Sequence, residues 1–350
     1  MDLTADRTPP DRDNSADHKA LARRLPWLPL VLLALLIPSA VLSLSIGPAD
    51  LSARDTLLAL AGMGSDVAIG IVQEIRVPRV ILAVAVGGIL GLAGAALQGY
   101  LRNPLAEPSV LGASNGAAFG GVIALYFGFA AAWSLALPLM AVTGALVTLG
   151  LVILLARLSA SPLVLILAGL AVGTMAGAAI SLALNLSPNP FAAMEITFWL
   201  LGSLEDRSMR HVVLALPLIA MGAALLLWDR RALDALSLGP SVASSLGIDL
   251  RFVQLRLLLG VAIGVGAAVA VSGAIGFVGL IVPHLLRPLV AQQPSRLLIP
   301  SALGGALLLV LADAAVRVIP STNELRLGVI TAFLGLPFFI LLVVRSRRLG

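Results

Sequence analysis

The sequence predicts an all-α polytopic membrane protein with about ten transmembrane helices and both termini cytoplasmic. Three observations predict it. Apolar residues make up 59% of the 350-residue chain and charged residues only 12%, against about 45–50% and about 25% in soluble domains. The apolar excess is gathered into runs of about 20 residues, enough to cross a bilayer core as a helix. Arginines favour alternate connections, as the positive-inside bias requires. The same composition nearly excludes a water-soluble enzyme. The absence of cysteine removes disulfides, thiolate metal sites and cysteine nucleophiles. Lys19 is the single lysine and stands in a polar segment without the glycines of a phosphate-binding P-loop. Any use of ATP therefore comes through a partner chain.

Residues 1–25 are polar, rich in Asp and broken by Pro9 and Pro10, a composition that reads as a disordered cytoplasmic tail. Residues 26–350 read as a single transmembrane domain. Its first span, Trp27 to about Ile46, follows Arg23 and Arg24 as a signal peptide would. Its length exceeds the roughly 7–15 residues of a signal core, so it is read as retained. Further spans are expected at about 78–99, 109–129, 133–156, 162–185, 211–228, 254–274, 276–293, 297–318 and 327–344, with proline and polar clusters between them. The weakest boundary is 272–276, where two spans are separated by only a few residues. With both ends inside, 16 Lys and Arg fall on the inner side and 7 on the outer. The outer set is Arg54, Arg76, Arg79, Arg207, Arg210, Arg317 and Arg326. Glycine and alanine are abundant in the spans, as close helix packing in lipid requires. The segments 91–99 and 270–279 look alike and lie in spans of opposite direction, which hints at an inverted repeat.

Three stretches are too specific for lipid filler. One runs from Arg76-Val-Pro-Arg79 through a glycine-rich span to Gln98-Gly-Tyr-Leu-Arg-Asn-Pro-Leu-Ala-Glu-Pro-Ser-Val-Leu-Gly112; the second is Ser241-Val-Ala-Ser-Ser-Leu-Gly-Ile248; the third is Gly273-Ala-Ile-Gly-Phe-Val-Gly-Leu-Ile-Val-Pro-His-Leu-Leu-Arg287. In this order, over about 75–345, they resemble the FecCD-type permeases of binding-protein-dependent ABC importers for ferric siderophores, haem and cobalamin. Gly202-Ser-Leu204, Leu311-Ala-Asp-Ala314 and Gly328-Val-Ile-Thr331 add to the likeness. Arg326 and Met209 depart from it, since many relatives have Pro and a nearby Trp there. The resemblance implies a cobalamin-importer-permease-like bundle in a bacterial plasma (inner) membrane.

Candidate functional residues follow. Ser241 to Ile248 reads from its residues as a short, weakly apolar helix in the loop 229–253, with Gly247 as a C-terminal residue at positive φ. A surface turn without a role would look the same. The resemblance implies the coupling helix that seats in an ATPase, and so assigns Ser241, Ala243, Ser244, Leu246, Gly247 and Ile248 to coupling. Arg76, Arg79 and Arg317 read as interfacial anchors; the resemblance implies that they meet acidic residues of an extracytoplasmic substrate-binding protein. Asp313 is an acid inside an apolar span, and Arg317 four residues on accounts for it as an ion pair. His284, beside Pro283, reads as part of a kinked, hydrogen-bonded helix. In the loop 158–162 a plain turn suffices, with Pro162 suited to a first helical turn. By the resemblance Ser159, Ser161 and Pro162 belong to the cytoplasmic gate, and 192–204, with Glu195 and Trp199, to a re-entrant or short helix at the pathway mouth.

The reading is therefore a permease subunit with no catalytic residue, metal or cofactor of its own, ATP and Mg being bound by the partner. Its expected partners are two ABC ATPase subunits, the binding protein, a second permease copy or paralogue and membrane lipid, and no nucleic acid. Ferric siderophore is the expected cargo, with haem or cobalamin as alternatives. A proton- or sodium-driven transporter is the rival from another class; it calls for ionisable groups at mid-membrane, where the sequence offers only Asp313 and His284.

Overall fold

Proline sets several helix starts. In the computed structural model, which describes residues 26–156, 161–319 and 325–346, the helices Pro162–Asn185 and Pro294–Val318 both begin on proline in their first turn, where its missing N–H is no loss. The described residues form helices and turns and contain no strand. In chain order α1 is Leu28–Ser45, α2 Ala53–Leu60 and α3 Asp66–Gly70; a π-helical turn, Ile71–Arg76, runs on into α4, Val77–Leu101. Then come α5 (Ala113–Tyr126), α6 (Ala136–Ala156), α7 (Pro162–Asn185), α8 (Pro190–Leu200), α9 (Met209–Trp228), α10 (Arg230–Ser237), α11 (Pro240–Ser245), α12 (Leu250–Ser272), α13 (Val278–Leu286), α14 (Pro294–Val318) and α15 (Leu327–Ser346).

The small residues lie on the helix seams. A Cβ on Gly87 of α4 would overlap the carbonyl of Gly305 in α14, and one on Gly305 would overlap that of Gly87. Gly116 of α5 and Gly144 of α6 stand in the same reciprocal relation. Lipid supplies no hydrophobic drive for helix association, so such seams rest on close backbone contact. The centre of the bundle is α4 and α12: 78% of the most apolar window of each is buried, against 28% for α1, α7 and α9.

Two expected spans differ from the sequence reading. The span at 276–293 is the nine-residue α13, followed by a 3-10 turn at Arg287–Val290. The span at 109–129 opens with a 3-10 turn at Pro108–Leu111 and leaves α5 14 residues. Seven helices of the described residues are long and apolar enough to cross a membrane. The break before α13 has a cause. Gly273 (φ +67) ends α12, the Ser203 N–H donates to Ser272 O at 2.8 Å, and Phe277 (φ +67) starts the next helix. A Cβ on Gly273 would overlap Trp199 O. Non-helical backbone is tolerated at such depth where protein rather than lipid surrounds it. The look-alike segments 91–99 and 270–279 are also structurally unlike: the first is continuous helix within α4, the second spans this break. They meet each other, with Gly94 against the backbone of Gly279.

The sequence reading also missed α2 and α3. Ser52 and Ser65 cap them, their hydroxyls accepting from Asp55 N at 3.1 Å and Ala68 N at 3.3 Å, and Ala59, Ala68 and Val72 form a small apolar cluster beneath.

Candidate functional site: the α11 end

One end of the bundle collects the starts of α7, α12 and α14 together with α10 and α11. In α10 the apolar residues Ala232, Leu233, Ala235 and Leu236 face inward. On its other side Asp234 accepts from Ser295 N at 2.8 Å and Gln293 Nε2 at 2.9 Å, placing an anion at the N-terminus of α14, where the helix dipole favours it. Asp229 ties the end of α9 to α12 through two bonds from Arg256, Nε to Oδ2 at 2.5 Å and Nη2 to Oδ1 at 2.8 Å.

The short helix α11 sits on this base by one side chain. Ala243 is fully buried and packs with Ala232, Ala235, Leu236 and Val253. The helix ends in a paired turn: Gly247 N–H donates to Ser244 O at 3.0 Å and Ile248 N–H to Ala243 O at 3.2 Å, with Gly247 at φ +80. That is the Schellman arrangement, which needs a left-handed residue just past the helix. Ser241, Val242, Ser244 and Leu246 point outward, and Leu246 is 64% exposed. Ile248 is half-buried and leads to Asp249, whose carboxylate caps α12 by accepting from Arg251 N at 2.9 Å.

The expected gate residues Ser161 and Pro162 border the same cavity as this helix. It holds about 460 Å³ between α7 and α11, lined also by Tyr100, Arg102, Ser244, Ile248 and Gln254. Ser159 lies outside the described residues. The sequence reading did not single out Gln254, although one amide in an apolar run is a visible signal. Gln254 is 1% exposed and its Nε2 has no partner among the described residues.

At the opposite end the three expected docking arginines are turned inward. Arg79 is buried and its Nε donates to both oxygens of Asp313 at 3.0 Å. Arg317 meets the same carboxylate at 3.0 Å, the expected i,i+4 pair, and also donates to Ser43 O at 2.9 Å and Ile46 O at 2.6 Å. Arg76, 4% exposed, donates to Leu44 O at 2.8 Å and Ala49 O at 2.7 Å. Arg76 and Arg317 therefore satisfy late carbonyls of α1, groups that a helix end leaves without intrahelical partners. His284 departs from the hydrogen-bonded expectation at one atom: Nδ1 has no partner among the described residues, and the ring stands edge-on to Phe338 at 5.5 Å.

The arrangement at the α11 end offers an outward-facing surface beside a cavity. The family model described as the FecCD transport family matches residues 33–345. The chain belongs to that family. Its relatives include the vitamin B12 import permease BtuC of Vibrio cholerae, 43% identical over 79% of this chain and 83% of that one. The hemin permease HmuU of Yersinia pestis is 39% identical over the same shares. An uncharacterised ABC permease of Bacillus subtilis, YvrB, is 41% identical over 80% of each. Among solved structures, an ABC transporter assigned to the metal-chelate type, in an inward-facing conformation, matches with a TM-score of 0.81 and 33% identity, over 91% of this chain and 99% of that one. This FecCD protein is thus a multi-pass membrane permease of an ABC importer. Within this chain, α11 and the cavity beside it are the expected site residues whose geometry is best defined.

Proposed function

We propose that the chain is the permease subunit of a ferric-siderophore importer of a bacterial inner membrane, working with a second permease copy, two ABC ATPase subunits that bind ATP and Mg, and an extracytoplasmic binding protein. The observation that carries the coupling assignment is α11: a short helix, fixed by Ala243 and a Schellman turn, that presents Val242 and Leu246 outward with no cover. Exposed apolar side chains on a polar loop mark a partner surface. When the partner moves α11, the shared cavity gives that motion a short route to Ser161 and Pro162. In this reading both termini lie in the cytoplasm, with the coupling end on that side.

The arginines enter the docking reading indirectly. Arg76, Arg79 and Arg317 hold the ends of α1, α4 and α14 together and so shape the platform a binding protein would meet. A corrinoid cargo is the second reading, favoured by the vitamin B12 permeases among the relatives. Reconstituted complex should take up radioiron as a ferric siderophore in an ATP-dependent, vanadate-sensitive way and unaffected directly by a proton ionophore. Uptake of cyanocobalamin alone would move the assignment to the second reading; uptake driven by a proton gradient without ATP would overturn the importer.

A further inference from the structure

Where α9 gives way to α10 and α12 begins, an open groove of about 570 Å³ runs beside the end of α11. Its walls carry two aromatic rings, Trp228 in the last turn of α9 and Phe252 in the first turn of α12, and two guanidinium groups, Arg230 and Arg231. Trp228 is 73% exposed and Phe252 58%, so neither ring serves the core. Both α9 and α12 are long and apolar enough to cross a membrane, and these are the ends that adjoin the polar α10–α11 loop. The groove therefore opens at the membrane–water boundary, the depth that tryptophan favours. Met221, seven residues before Trp228 and so on the same helix face, is exposed as well, which continues the apolar track into the membrane. The charges of the groove do not cancel. Asp229 and Asp249 also line it, but Asp229 takes a bond from Arg256 on each oxygen, and Asp249 caps α12 by accepting from Arg251 N and Phe252 N. Arg230 and Arg231 are exposed and have no ion pair or side-chain hydrogen bond among the described residues. The two uncommitted charges are both positive and both within reach of solvent and headgroups.

We propose that this groove seats one anionic phospholipid of the facing leaflet, its phosphodiester on Arg230 and Arg231 and its glycerol and upper acyl chains against Trp228 and Phe252. A guanidinium presents paired N–H donors that match phosphate oxygens, and basic recesses between spans at the headgroup level suit anionic lipid. The ammonium of a zwitterionic headgroup would meet two unpaired arginines and two acids already engaged, so phosphatidylglycerol is preferred to phosphatidylethanolamine. Gly247 and Ile248 line the same groove, so the bound lipid borders the turn that ends α11. The site rests on the proposed function only for calling that leaflet the cytoplasmic one.

The test uses the full-length chain, delipidated in detergent, and native mass spectrometry with phosphatidylglycerol and phosphatidylethanolamine of matched acyl chains as probes. The chain should retain phosphatidylglycerol about tenfold or more tightly than phosphatidylethanolamine, the scale of two arginines at an anionic headgroup. Arg230→Gln with Arg231→Gln should abolish that preference without moving the melting temperature, since both side chains are exposed. Arg231→Gln alone should reduce it about threefold, and replaces the pair should the pair melt early. Arg102→Gln with Arg251→Gln removes the same charge from the neighbouring cavity and should leave the preference in place. Equal retention of the two lipids, a preference lost equally in both double variants, or displacement of the lipid by glycerol 3-phosphate at similar concentration would overturn the site. Release of the lipid on adding ATPase subunits would also overturn it, giving the groove to that partner. Because the readout is lipid retention by the chain itself, failure of ATP-driven uptake with the preference intact would count against the importer reading alone.

Discussion

The two ends of the bundle handle charge in opposite ways. At the arginine end Asp313 is 1% exposed and shared by two buried arginine side chains, so that α4 and α14 are bolted together through it, and Arg317 and Arg76 add the end of α1. At the coupling end the Asp229–Arg256 pair is partly open to solvent, with side chains 16% and 32% exposed, and α11 is fixed to the base below it by a single alanine. A buried charge cluster locks geometry, because loss of one member strands the others. A half-exposed pair with a small helix above it can shift at little cost. The comparison teaches that tight and loose fixing are segregated: the arginine end locks helices through buried charge, while the end carrying α11 is held by a partly open pair and one alanine, which is where the proposed coupling motion would cost least.

Substitutions can break that contrast in graded fashion. The largest loss of stability is expected from Asp313→Asn, which leaves Arg79 and Arg317 without their shared anion; about 3–5 kcal/mol is typical when one member of a buried pair is removed. A fall in the detergent melting temperature larger than for any variant at the coupling end checks it. Gly247→Ala comes next. Nothing lies within 4 Å of an added Cβ, so its effect comes from the backbone alone, about 1–2 kcal/mol for an L-residue held left-handed. That strain is local to α11, and ATP-coupled uptake should fall while melting moves little. Arg256→Ala should cost about 1 kcal/mol or less, the scale of a solvent-screened pair, measured in the same melting series. Leu246→Asp should leave melting unchanged, since the side chain touches little of its own chain.

Much of this contrast was legible in the sequence, and the unread part has a common cause. Gly247 could be read as a helix-ending residue because positive φ selects glycine within a few residues of local sequence, and Asp313 with Arg317 follows from helical spacing. Arg79 joining Asp313 was not legible, because it lies 234 residues away on another helix. Nor was the capture of the α1 carbonyls by Arg76 and Arg317, since backbone acceptors leave no mark on composition. An arginine near a span end looks alike in sequence whether it faces a partner or its own protein. The short α13 was hidden for a similar reason: 276–291 is apolar but for His284 and Arg287, and the contacts of Gly273 with Trp199 and of Ser272 with Ser203 break the helix before it.

The central claim is that the uncovered face of α11 is where the ATPase takes hold. The most direct measurement is the affinity of purified ATPase subunits for the reconstituted permease carrying Val242→Asp with Leu246→Asp, set beside its melting curve. The account predicts unchanged melting with loss of the complex and of ATP-driven uptake. A variant that melts like the parent and still binds and couples the ATPase would contradict it.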